Sequence, residues 1–208
     1  MLLERFEQLQ EVLAGLEAIY KGEKLSIQLD KNKSSPILVY AQKLLKNVRE
    51  KKGKVVIIGN GGSAGIASHF CCDLIRTLGI SSQTLFDSNV MTCMGNDFGY
   101  ENIFANPLKV LLKDNDLLVA ISSSGNSENI LNACRVALEK SASIFTLSGF
   151  SKDNSLRALG DLNFWVPSSD YGLVEMAHFF LLHTIVDTWD LQCEVEGFEG
   201  KNSYVKVR

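Results

Sequence analysis

Twice in this chain a short, mostly apolar run ends in a loop of glycine, serine and asparagine that passes directly into a helical stretch. The first is Lys54–Ile58, followed by Gly59-Asn60-Gly61-Gly62-Ser63; the second is Leu117–Ile121, followed by Ser122-Ser123-Ser124-Gly125-Asn126-Ser127. A strand that leads through a tight loop into a helix is half of a βαβ crossover, whose strands lie parallel and are buried on both faces. Gln83–Phe86, Ser143–Leu147 and Leu162–Val166 supply three more short apolar strands, with helical segments between them. The expected fold is α/β: five parallel strands with helices on both faces. In such sheets ligands collect beyond the carboxyl ends of the strands, where both loops fall.

The flanks read differently. Leu2, Phe6, Leu9, Leu13, Leu16 and Tyr20 recur at alternating spacings of four and three, which predicts one amphipathic helix over residues 2–20 with a stripe suited to another helix. Residues 21–35 are polar and irregular and read as a connector, and a second helix is expected from about Pro36 to Lys51. The helices after the two loops are expected to end near Leu78 and Lys140. A last helix over residues 170–192 is apolar on every side between Leu173 and Val186, broken only by Glu175, His178, His183 and Thr184. A helix of that kind is buried in its own domain or between subunits. The expected organisation is residues 1–35 as a helix and connector making an oligomer contact, 36–192 as the main domain, and 193–208 as a tail.

Charge and composition remove several function classes. A formal charge of -3 offers no basic face for nucleic acid. No run reaches the length of apolar sequence that a membrane helix needs. The start, Met1-Leu2-Leu3-Glu4-Arg5, is not built like a signal peptide. Cys71, Cys72, Cys93, Cys134 and Cys193 have no CxxC spacing and read as free thiols used as small buried hydrophobes, which points to the cytoplasm.

The chemistry-bearing residues are few. His69 has Asp73 four residues on, which places both on one helical face. His183 follows Glu175 by eight residues, a little over two turns. Two imidazoles and two carboxylates can build a metal site or a proton-transfer site. His178 lies about 140° around the helix from His183 and reads as a packed or subunit-interface residue. The first loop fits G-x-G-x-x-A, so a dinucleotide enzyme with Asp87 on the ribose is one reading. The hydroxyls of the second loop can surround phosphate oxygens, with Asn126 or Ser127 capping the next helix. No G-K-[ST] follows either loop, which disfavours a P-loop. An enzyme acting on a small phosphorylated substrate accounts for both loops.

The two loops, together with His69-Phe70 and Gly95-Asn96-Asp97-Phe98-Gly99, resemble the sugar-isomerase (SIS) domain of the phosphoheptose isomerases, from about Ala41 to Asp187. That resemblance implies a flavodoxin-like five-stranded sheet, a homotetramer, and conversion of sedoheptulose 7-phosphate to a heptose 7-phosphate through an enediol(ate). It implies phosphate contacts at Ser63, Ser122, Ser124 and Ser127, and substrate contacts at Asn60, Gly61, Gly62, Asn96, Asp97, Ser123 and Glu175. It places the family's metal-binding or acid/base positions on His69, Asp73, Glu175 and His183; on these residues either Asp73 is the base with His183 as the partner acid, or a bound zinc polarises the sugar's carbonyl and hydroxyl oxygens. Two residues depart from the pattern: the family usually has Glu where this chain has Asp73, and Gln where it has Glu175. A non-catalytic relative, a phosphosugar-binding scaffold or a partner of a replication initiator, is the alternative the resemblance leaves.

Overall fold

The computed structural model describes residues 2–25 and 35–189. The expected connector over 26–34, the helix end at 190–192, the tail 193–208 and Cys193 lie outside the described residues. The chain runs α1 (Leu2–Ala14), β1 (Glu17–Tyr20), β2 (Glu23–Leu25), α2 (Pro36–Glu50), β3 (Val55–Gly59), α3 (Gly62–Leu78), β4 (Ser82–Thr84), α4 (Ser88–Phe98), α5 (Ala105–Leu111), β5 (Leu117–Ser122), α6 (Glu128–Glu139), β6 (Ser143–Ser148), β7 (Leu162–Trp165) and α7 (Tyr171–Asp187). All five expected strands form.

Their side chains alternate as a doubly covered sheet requires. In β3, Val55 and Ile57 join a cluster with Leu45, Leu74 and Phe164, while Val56 and Ile58 join one with Phe104, Leu108 and Ile130. Each such fully buried aliphatic side chain is worth about 1.5–3 kcal/mol, so the apolar runs commit these segments to the middle of the sheet. The order is β2-β1-β7-β6-β5-β3-β4. From β4 to β7 every neighbour pair is parallel, in the flavodoxin-like order.

The sheet has seven strands rather than five, because residues 17–20 leave the first helix. Helix α1 ends at Ala14, and the next residue, Gly15, passes so close to Pro167 that a Cβ there would lie 2.9 Å from its ring. Ala18 is then fully buried beside β7, and β1 pairs antiparallel with that strand. Lys21 and Gly22 both have positive φ, 48° and 84°, as a two-residue type I′ hairpin turn demands, and Tyr20 faces Glu23 across it. Tyr20, placed on the helical stripe by its spacing, stacks instead on Tyr40 at 4.1 Å. Glu17 ties the edge down by accepting from Arg157, Lys152 and Lys24 at 2.6, 2.8 and 3.1 Å. Lys152 first of all, then Arg157 and Lys24, hold its carboxyl down to about 2.

Two helices, α4 and α5, fall where the sequence offered no clear period. Among the described residues one side of α7 is left uncovered, with Met176 and Phe180 more than half exposed. Among the four described cysteines Cys134 alone is buried; Cys72 and Cys93 are exposed, so the reading of all of them as core hydrophobes fails for those two. Among the described residues no helix is long and apolar enough to cross a membrane.

Candidate functional site

β3 and β5 end side by side, and their loops open into the starts of α3 and α6. At the first loop Gly61 takes φ 53°, a left-handed conformation that glycine adopts without cost. Gly62 has no room for a side chain: a Cβ would lie 2.4 Å from both carboxylate oxygens of Glu175. The Glu175 carboxylate therefore rests on the first turn of α3.

At the second loop the hydroxyls turn toward one another. Ser122 Oγ donates to Ser127 Oγ at 3.2 Å and lies 3.5 Å from Ser124 Oγ. The backbone N–H groups of Gly125 and Asn126 donate to Ser122 Oγ and Ser124 Oγ, both at 3.2 Å. Ser127 occupies the N-cap position of α6 but makes no side-chain cap hydrogen bond, and Asn126 Oδ1 instead accepts from Ser155 N at 3.0 Å. The expected capping of α6 by one of these two residues does not form, because the neighbouring serines and the 151–155 loop take their oxygens. The first N–H groups of α6 are thus left for another acceptor.

Between the loops lies a cleft of about 120 Å³ lined by Asn60, Ser63, Ser122, Ser123, Ser124 and Ser127, with Ile121 behind them and Tyr171 and Glu175 at its side. Asn60 is held by a reciprocal amide pair with Asn129, at 3.0 and 2.8 Å, and its oxygen also accepts from Tyr100 at 3.2 Å. Among the described residues no lysine, arginine or histidine lines the cleft. Two helix N-termini open onto it, each equivalent to roughly half a positive charge. Asn96 and Asp97 are elsewhere: both are exposed on α4, where Asn96 Nδ2 donates to Asp97 Oδ1 at 2.8 Å.

Further along the seam between α3 and α7 is a second constellation. His69 Nε2 and His183 Nδ1 lie 3.3 and 3.5 Å from the same oxygen, Asp73 Oδ2, and Arg76 lies 3.5 Å from Asp73 Oδ1. Asp73 is buried, while both imidazoles are partly open to solvent. Phe179 packs edge-on against His183 and tilts against His69, with ring centroids at 4.6 and 5.0 Å, which fixes the two rings. One ligand atom from each of His69, Asp73 and His183 lies within 4.8 Å of the others, a set that could hold a metal ion.

The expected four-residue set is therefore divided. His69, Asp73 and His183 come together, and Glu175 joins the serine cleft. Eight residues of helix separate Glu175 from His183 by about 12 Å of rise, so a shared direction does not bring them to one point. Asp87, the one ribose-ligand candidate, spends its carboxylate capping α4, accepting from Asn89 N and Val90 N. Sequence reasoning missed Tyr171, Asn129, Tyr100 and Phe179. None sits in a recognisable motif, and only the packing of α6, α7 and the turn after α4 against the loops reveals them.

Comparison with known proteins identifies the family. Residues 20–149 match the SIS domain family. The chain is similar to the phosphoheptose isomerases of Helicobacter pylori strain Shi470, 36% identical over 76% of this chain and 83% of that one, and of Campylobacter concisus, 38% identical over 71% and 78%. Among solved structures it resembles a phosphoheptose isomerase from Francisella tularensis, with TM-score 0.75 and 27% identity over 91% of this chain and 96% of the other. That of Neisseria gonorrhoeae superposes with TM-score 0.70 at 30% identity, over 74% and 85%. A match to the SIS domain family over more than half of this chain, joined to relatives above 30% identity along most of their length, makes this chain a member of the phosphoheptose isomerase family of SIS-domain proteins.

Proposed function

We propose that this protein interconverts sedoheptulose 7-phosphate and a heptose 7-phosphate, moving a proton between C1 and C2 through an enediol(ate). The observation that carries the reading is the pairing of two sites along one helical seam: a hydroxyl-lined cleft at two helix N-termini, and the trio His69, Asp73 and His183. The relatives are named for this reaction.

The phosphate binds in the serine cleft. Ser63, Ser122, Ser124 and Ser127 donate to its oxygens, and the unused N–H groups of α6 complete the cage. Asn60, already oriented by Asn129 and Tyr100, and the Glu175 carboxylate face the sugar hydroxyls. Anchoring one end converts the proton transfers at the other into reactions within one complex. Asp73 accepts the carbon proton and His183 handles the oxygen proton.

The trio also fits zinc: two nitrogens and one carboxylate oxygen are the donors of an open catalytic site with three protein ligands. Zinc bound there would polarise the sugar's carbonyl and hydroxyl oxygens. Both imidazoles approach Asp73 Oδ2, which leaves Oδ1, faced among the described residues by the exposed Arg76 at 3.5 Å, as the basic oxygen.

The uncovered apolar residues of α1 (Leu2, Leu3, Phe6) and α7 (Met176, Phe180) support a homo-oligomer, a tetramer in our reading. The same reading places the enzyme in the cytoplasm. The test is to incubate purified protein with sedoheptulose 7-phosphate and follow the product by NMR. Absence of both isomerisation and solvent exchange at C1/C2 sinks the proposal.

A further inference from the structure

His178 takes no part in the reaction just described, yet it is an ionisable side chain with no exposed surface, sitting on the apolar helix α7. Its Nε2 lies 3.1 Å from the Ser148 carbonyl oxygen. A carbonyl only accepts, so Nε2 carries the hydrogen. Nδ1 is buried without a partner among the described residues. Burial holds the imidazole down to about 4, against a smaller upward pull from the Ser148 carbonyl, so the ring is neutral near pH 7.

What the ring holds is the end of β6. The Ser148 carbonyl also accepts from Val166 N at 2.9 Å, and the next residue, Gly149, donates its N–H to the Ser123 carbonyl at 2.9 Å. Gly149 is wedged in place: a Cβ there would lie 2.8 Å from Val174 on α7 and 3.1 Å from the Ser123 oxygen. Asn154 Nδ2 binds the Gly149 carbonyl at 3.2 Å, and its side chain fills the space that a Cβ on Gly125 would need. The serine loop therefore rests on Ser148–Gly149, and Ser148 is bonded to α7 through His178. The helix so tied carries Glu175 one turn before His178 and His183 five residues after it.

We propose that His178 is a positioning residue: its Nε2–H bond to the Ser148 carbonyl fixes α7 against the serine loop, and so sets Glu175 and His183 relative to the bound phosphate. The proposal rests on the serine cleft and the trio serving one substrate, as argued above. An apolar side chain of similar size would fill the same space and leave α7 free to slide relative to the loop. Conservation of volume alone does not hold the register.

The test compares His178→Leu, which fills the space without a donor, with His178→Gln, whose amide reaches about as far as Nε2 and restores one. In His178→Leu, KM for sedoheptulose 7-phosphate should rise about tenfold and kcat should fall at least tenfold, per mole of folded protein; in His178→Gln both should return most of the way. Kinetic constants of His178→Leu within twofold of the parent, or a His178→Gln as impaired as the leucine variant, overturn the proposal. ¹⁵N NMR of the parent protein needs no variant to fold: a neutral ring with hydrogen on Nε2 from pH 5.5 to 8 is expected, and hydrogen on Nδ1 overturns the tie. Should the parent not isomerise the sugar, calorimetric binding of the same phosphosugar separates the two ideas. Weaker binding in His178→Leu with recovery in His178→Gln upholds the positioning role while the isomerase reading falls.

Discussion

Glu175 puts a negative charge on the wall of a cleft that we assign to a phosphate, and replacing it by glutamine measures what that charge does. The cleft is about 120 Å³, so a phosphate centred in it lies about 5 Å from a carboxylate on its wall. Two unit charges at that distance repel by about 3 kcal/mol at an effective dielectric of 20 and by about 1 kcal/mol in water. Glu175 is half-buried in an open cleft, which places the value between these limits, near 2 kcal/mol. The two helix N-termini stay in place when the charge is removed, and Gln keeps a carbonyl oxygen to accept from sugar hydroxyls. Glu175→Gln should therefore bind sedoheptulose 7-phosphate about 30-fold more tightly, which is 2 kcal/mol converted at 25 °C. Isothermal titration calorimetry at low salt reads this directly, and the gain should shrink as ionic strength rises. The dephosphorylated sugar should show no such gain. Equal or weaker binding of the phosphosugar in Glu175→Gln refutes the assignment of the phosphate to this cleft.

Asp73→Asn keeps the shape of the trio but removes its basic oxygen, so turnover and C1/C2 exchange in D₂O should fall together by roughly 10²–10⁴, with phosphosugar binding retained; a variant as active as the parent shows that another group is the base. Ser124→Ala should weaken phosphosugar binding by about 1.5–3 kcal/mol, the worth of a hydrogen bond to a charged group, and unchanged affinity counts against the cage. Protein purified without chelator should carry about one zinc per chain by elemental analysis, and His183→Ala should lose it; equal, negligible metal in both contradicts the metal reading. Acid should destabilise the fold in two windows. His178 is lowered from 6.5 to about 4 in the folded chain, so its contribution is present above pH 6.5 and is lost as pH falls toward 4. Glu17, lowered from 4.5 to about 2, loses its contribution over that lower range. Urea titrations at successive pH values should show the first loss in the parent and not in His178→Gln.

The parallel sheet was legible because burial on both faces leaves a plain record: apolar runs such as Val55–Ile58, two of them ending in Gly/Ser/Asn loops that lead into a helix. The hairpin was not. Leu16 and Tyr20 continue the spacing of the first helix, and period alone does not distinguish a residue on a helical stripe from one in a strand that stacks on Tyr40. The local evidence against the helix was Gly15 and the Lys21-Gly22 pair, whose positive φ angles need only two residues to make a turn. The site divides along similar lines. His69 and Asp73 are one turn apart, so their spacing is itself the contact. Glu175 and His183 share a helix and point to one side of it, yet the rise per residue carries them about 12 Å apart. Spacing in sequence shows which face a residue occupies; which neighbour that face meets depends on how α3 and α7 cross. Gly62, lacking the Cβ that would strike Glu175, is the sequence trace of that crossing, and it is legible only once the carboxylate above it has been seen.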